Sequence, residues 1–348
     1  MRRFSIALLT LLLGQLAAHA DEAPSFKGKN VTVIVGSAPG GGTDTSGRLI
    51  AGYIAAHLPD KPTVVVRNVP GAQGVTAMNY FVKQVAPDGL TLTMGSTTQA
   101  DPLLYRRPAS AYDPTTFAIV GGVGRGGSVL MIRKDAEPRL HDKNAAPVIM
   151  GALGGVPRSG MQTTAWGVGF LGWNVKWVLG YPGTNDLMIA LERGEIDMTS
   201  TANLFLAQKL IETAKFIALS QTGSMQHGQM VARPEWGGAP LFATLIQDKI
   251  PDVLARQAFD YWASMTAIDK WIALPPKTPE PYVRAYREAY QAAFTDPEFS
   301  GLGKSVSEDF EPMAYDDVEF LMRKLGSTPP EAIAFISGML HKQGVEAE

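Results

Sequence analysis

The sequence predicts an α/β chain of two ordinary-sized domains, and three observations carry that expectation. Its 348 residues leave roughly 328 after an export signal, more than one core commonly holds. Three β-branched or alternating runs follow one another early in the chain, and each ends in a loop of glycine or hydroxylic residues. Helical spacing resumes after the first two of these loops, the order that builds a parallel sheet with its loops gathered at the carboxyl edge.

The chain opens with Arg2 and Arg3, an apolar run from Ile6 to Leu13, and Ala18-His19-Ala20 before Asp21. This is the pattern of a secretory signal cleaved after Ala20, with an uncleaved amphipathic anchor as the alternative. The expected location is the periplasm. Without the signal, 29 basic residues stand against 33 acidic ones, a net charge of about −4. That balance argues against a nucleic-acid partner or a polybasic membrane patch. Cysteine is absent although export would permit disulfides, so the fold must stand on its core.

The first unit is Val31-Thr-Val-Ile-Val35, then Gly36 to Gly42, then Thr43 and Asp44 at a helix start. Such a turn aims backbone N–H groups at the positive end of a helix dipole, which suits an anion. Pro39, Gly40, Gly41 and Thr43 are candidate ligand contacts. Asp44 is another candidate, although capping the helix is the alternative use of its carboxylate, which would otherwise repel an anion. Arg48 to His57 continues as helix. Pro62 to Arg67 is a second strand and Asn68-Val-Pro-Gly71-Ala72-Gln73-Gly74 a second loop, with Gly71, Ala72 and Gly74 as candidates, before a helix over Val75 to Val85. Leu90 to Met94 is a third strand, ending in Gly95-Ser96-Thr97-Thr98-Gln99, where Ser96, Thr97 and Thr98 join the candidates.

These motifs, with Ala86-Pro-Asp-Gly89, Gly151-Ala-Leu-Gly154, Ala190 to Asp197 and Leu274-Pro-Pro-Lys-Thr-Pro279, resemble the solute-binding proteins of tripartite tricarboxylate transporters, the Bug family. The resemblance spans most of the chain after the signal. It implies a type 2 periplasmic binding protein, with two Rossmann-like lobes, a hinge and a ligand cleft between them. Residues 21–124 and 265–348 would form lobe 1, and 125–264 lobe 2. It further implies capture of a small organic acid, whether a di- or tricarboxylate or an aromatic carboxylate, and delivery to membrane permease subunits. No cofactor, no metal and a monomer are expected. The chain departs from the family pattern at Val156-Pro-Arg158-Ser159-Gly160 and at Tyr181-Pro182-Gly183, where the usual lysine is missing.

Gly122-Val-Gly124-Arg125-Gly126-Gly127 matches a dinucleotide fingerprint formally, but a second strand-like run, Ser128 to Ile132, follows in place of the required helix. A crossover between lobes is the better reading, with Arg125 at the hinge or in solvent. Pro147 to Met150 is a strand leading into Gly151 and Gly154. Arg158 offers a rigid guanidinium fork to a carboxylate, with a surface loop arginine as its alternative, and Ser159 stands beside it. Trp166, Trp173 and Trp177 read as apolar filling. After the strand Val175 to Leu179, Tyr181 is a ligand hydroxyl or a core ring, and Gly183 precedes the helix Leu187 to Arg193. Thr201, with Thr199, Ser200 and Asn203, feeds the cleft or caps the next helix. Phe216 to Leu219 is a strand. Residues 221–240 read as irregular surface, and the acidic residues Glu308 to Glu311 and Asp316 to Glu319 as a solvated face.

Histidines at 57, 141, 227 and 341 lack metal-ligand spacing, and no nucleophile elbow or phosphate loop occurs. Two rival functions remain from the sequence: an exported α/β enzyme acting on a carboxylate or ester, and a ligand-sensing module for a membrane receptor.

Overall fold

A computed structural model describes residues 24–153, 159–306 and 310–345. The signal residues 1–20 with their cleavage site, Gly154, Arg158 and Glu308 lie outside the described residues. Strand β1 (Asn30–Val35) leads through the glycine loop to helix α1 (Gly42–His57). Next come β2 (Thr63–Asn68), α2 (Val75–Gln84), β3 (Thr91–Ser96) and two single helical turns, α3 (Thr97–Ala100) and α4 (Pro102–Tyr105). β1 lies between β2 and β3 and parallel to both, with Asn30 opposite Thr63 and Thr32 opposite Thr91. Val31, Val33, Ile34 and Val35 are all buried, because helices cover both faces of this part of the sheet. The three strands therefore end at one edge, as their sequence order implies.

Strand β4 (Ala118–Arg125) carries the chain out of this sheet, and β5 (Val129–Arg133) enters a second. That sheet is completed by β6 (Val148–Leu153), α5 (Gln162–Phe170), β7 (Val175–Tyr181), α6 (Thr184–Arg193), β8 (Met198–Thr201), α7 (Leu204–Glu212) and β9 (Phe216–Gln221). Its strand order is β7-β6-β8-β5-β9. The formal dinucleotide fingerprint thus runs along β4 and its exit, as a crossover.

The return path begins with a hairpin, β10 (Ser224–Gln226) and β11 (Gln229–Val231), then α8 (Phe242–Ile246) and α9 (Val253–Ala267). β12 (Ile268–Leu274) re-enters the first sheet between β3 and β4, antiparallel to both. The chain closes with α10 (Glu280–Phe294), α11 (Pro297–Val306), β13 (Phe310–Met313), α12 (Tyr315–Ser327) and α13 (Pro330–Lys342). The first sheet has the order β13-β4-β12-β3-β1-β2, so it takes strands from both ends of the chain. No helix among the described residues is long and apolar enough to cross a membrane.

Trp166 is buried in an aromatic cluster with Phe170, Phe259, Trp262 and Phe335, and Trp173 packs on Phe242. These rings join α5 to α9 and α13. Trp177 is half-buried and donates through Nε1 to Gln343 Oε1 at 3.3 Å, while Gln343 Nε2 donates to Ala165 O at 2.8 Å. The end of α13 therefore reaches across to the second sheet.

Two surface expectations are corrected. Residues 221–240 are ordered by the hairpin and by Gln221, whose side chain accepts from Arg233 N and donates to Ala239 O, and Trp236 is buried among them. Strands of three residues are too short to register as alternation. In the acidic run, Asp317 is buried and accepts from the backbone N–H groups of His227 (3.0 Å) and Gly228 at the hairpin tip. Both tip residues have positive φ, 50° and 73°, as a two-residue primed turn demands. Asp317→Ala leaves both N–H groups without their acceptor and is expected to cost about 2 kcal/mol, read by urea unfolding.

Candidate functional site

The carboxyl ends of the two sheets face one cavity of about 1330 Å³. From the first sheet, Gly36 and Ser37 follow β1, Thr43 opens α1, residues 71–74 follow β2, and residues 96–99 follow β3. From the second, Leu153 ends β6, Gly160 to Gln162 lead into α5, Thr184 opens α6, and residues 200–202 end β8. Arg125 and Ser128 stand on the crossover. A third wall comes from Tyr261, Trp262, Met265 and Thr266 of α9 and from Ile333, Ile336, Ser337 and Leu340 of α13, with Asp101 and Leu103 beside them.

Of the candidates named from sequence, Thr43, Gly71, Ala72, Gly74, Ser96, Thr97, Thr98 and Thr201 come together on this lining. Pro39, Gly40, Gly41 and Asp44 stand outside it, and so do Gly151, Tyr181 and Gly183. Gly151 is packed against Ile196 and Leu187, and Tyr181 ends an edge strand on the second sheet's own core. Gly183 precedes α6 as its N-cap. Ser159 opens the short turn Ser159–Met161.

The first loop spends part of its donor set on itself. Asp44 Oδ2 accepts from Gly40 N at 2.9 Å, and Gly41 N donates to Ala38 O at 3.2 Å. The Asp44 carboxylate also takes Arg48 in a bidentate fork (3.0 and 2.9 Å) and Asn68 Nδ2 at 2.8 Å. The Arg48 bond above all, with the Gly40 and Asn68 bonds, outweighs burial and holds its pKa at about 2. Asp44 thus neither caps α1, whose N-cap is Gly41, nor faces the cavity; it clamps the loop to the end of β2.

The second and third loops are tied together by Gln99. Its Oε1 accepts from Ser96 N (2.8 Å) and Ser96 Oγ (2.9 Å), a capping box, and its Nε2 donates to Gln73 O. Ala72 and Gln73 adopt φ of 47° and 57°, a strained path held by this tie and by the flanking glycines. Thr97 Oγ1 donates to Ile268 O at 2.6 Å, and Trp271 Nε1 donates to Ser96 O at 3.0 Å. Ser37 Oγ is buried with no hydrogen-bond partner among the described residues, and Thr201 Oγ1 accepts from Asn203 N, which leaves its own proton free to donate.

Two charged residues on the lining went unselected in the sequence. Arg125, at the end of β4, lines the cavity and lies 3.7 Å from Asp269. Asp101 accepts from Leu103 N at 2.9 Å and from Tyr261 OH at 3.0 Å. Burial pushes its pKa up, against those hydrogen bonds, and burial likewise keeps the Tyr261 phenol protonated. Gln99 had a local signal in Ser96-Thr-Thr-Gln99. The residues of α9 and α13 had none, being brought beside the loops after β1, β2 and β3 from more than 150 positions away in the chain.

No family model matches the chain. It is 27% identical to a UPF0065 protein of Bordetella pertussis over 339 residues, 93% of this chain and 94% of that one. A UPF0065 protein of Agrobacterium vitis is 34% identical over 164 residues, 44% of each. The crystal structure of a TctC solute binding protein from Polaromonas superposes with a TM-score of 0.66, over 91% of this chain and all of that one, at 17% identity. The chain has the TctC fold. R. palustris Rpa4515, solved with adipate, superposes with a TM-score of 0.51 at 20% identity over 92% of this chain and 99% of its own. The resemblance read from the glycine motifs is met at the level of fold, in two sheets that form two α/β lobes.

Proposed function

We propose that this chain is an exported, periplasmic solute-binding protein that captures a small carboxylate between two lobes and presents it, as a monomer, to the permease subunits of a tripartite tricarboxylate-type transporter. The lobes are residues 21–124 with 265–348, and residues 125–264. The observation that carries the reading is the cavity itself, lined from both sheets by loop backbone and by the hydroxyls of Ser37, Thr43, Ser96, Ser128, Ser200 and Thr201. Neutral donors of this kind satisfy a carboxylate without holding a buried charge in its absence. Closure would remove water and strengthen each bond. Arg158, proposed from its sequence position alone, would add a charged grip. The adipate reported with the R. palustris neighbour is in keeping with an acid ligand.

Among the described residues, no histidine or lysine lines the cavity, and Asp101 is bonded to Tyr261. Thermal unfolding against mono-, di- and tricarboxylates, amino acids and nucleotides tests the reading. An acid at 100 times its Kd should stabilise the protein by about 2.7 kcal/mol and raise Tm by several degrees, without being consumed. A shift with nucleotides alone, or turnover of the acid, would overturn it.

A further inference from the structure

We infer that the acid taken by this cavity is a monocarboxylate with an apolar body, its head against the hydroxyl-lined loops and its body against α9 and α13. The inference rests on the carboxylate reading above and narrows it. The lining is uneven: hydroxyls and loop backbone predominate at the strand ends, whereas two helices packed on each other bring Trp262, Met265, Ile333, Ile336 and Leu340, with Tyr261, Thr266 and Ser337 between them. Ile333, Ile336 and Leu340 recur at helical spacing on the buried side of α13 and give its face of the cavity a mainly apolar character. The charges are divided in the same way. Among the described lining residues Arg125 is the sole cation, and it sits on the crossover with the hydroxyls. Asp101 stands at the helical end, bonded to Tyr261 of α9. A second carboxylate reaching that end would meet a like charge and apolar side chains, which disfavours both its approach and its desolvation. The space exceeds the roughly 300–1,000 Å³ usual for small-molecule pockets, so a body longer than a four-carbon skeleton has room.

The test compares butyrate, hexanoate and octanoate with succinate, adipate and suberate by calorimetric titration of the full chain after signal removal. Monoacid affinity should tighten roughly fourfold per added methylene, and each diacid should bind at least about tenfold more weakly than the monoacid of equal length, the cost of one unpaired charge. Ile336→Ser should flatten the chain-length dependence, weakening octanoate more than butyrate. Ser337→Leu, at an exposed position of the same wall, should weaken octanoate at least about tenfold more than butyrate. Diacids binding as tightly as matched monoacids, or a chain-length series that is flat in the parent protein or unaltered by Ser337→Leu, would overturn the inference while leaving carboxylate capture intact. Silence from every acid would overturn both.

Discussion

Asp44→Ala is expected to lower stability by about 2 kcal/mol and to weaken ligand binding at least about tenfold. The carboxylate is 2% exposed and receives four hydrogen bonds, from Gly40 N, Asn68 Nδ2 and both ends of the Arg48 fork. Hydrogen bonds to a charged acceptor are the strong ones, and removing the acceptor strands the buried donors. The loss is smaller than four such bonds because the Arg48 side chain is 51% exposed and rehydrates. Binding suffers because the same carboxylate holds the loop that carries Ser37 and Thr43 to the cavity. The pH dependence follows in sign. Arg48 first, then Gly40 and Asn68, hold the folded-state pKa at about 2, below the ordinary 3.8. The stabilisation is therefore complete above about pH 4 and is lost as pH falls from 4 toward 2. Urea unfolding at pH 2, 3, 4 and 6 should show that segment of slope in the parent protein and not in Asp44→Asn. An identical slope in both would remove the clamp.

Gly74→Ala is expected to cost about 2 kcal/mol or more and to reduce affinity by an order of magnitude. Gly74 has φ of 89°, where an L side chain is strained by about 1 kcal/mol. Its Cβ would also stand 2.6 Å from Gln99 Nε2 and 2.9 Å from Gln99 Cδ. Gln99 cannot move away freely, because its amide bonds both Ser96 and Gln73. Moving it would release the two loops that supply much of the first lobe's share of the cavity. Gly42→Ala is the control: a Cβ there meets nothing within 4 Å, in the first turn of α1. It should be neutral or slightly stabilising, since alanine is the better helix former. Equal losses of affinity in the two variants would refute the tie through Gln99.

The early strands were legible because each is a short run of β-branched or alternating residues closed by glycine or hydroxyl. β1, β2, β5, β6, β7 and β9 lie within two residues of their sequence-derived spans at their start, and α1 and α2 were marked by helical spacing. β8 and β10 were harder, since three or four residues leave no period to read. The cavity lining was legible where a local motif forms it, as at Thr43, Gly71 to Gly74 and Ser96 to Thr98. It was not legible where a neighbour decides the use of a group. Gly40 looks like an anion donor until Asp44 claims its N–H, and Asp317 looks solvated until the hairpin tip folds onto it.

The sequence by itself determined the α/β units, their order, and the glycine and hydroxyl loops at their ends, because propensity, capping and turn chemistry act over a few residues. The tertiary structure alone decided that β12 re-enters between β3 and β4, that Asp101 meets Tyr261, and that α13 closes the cavity with a mainly apolar wall. Each of these joins residues about 150 or more positions apart or is set by packing across lobes. Buried area and hydrogen-bond satisfaction select such pairings only once the whole chain has closed.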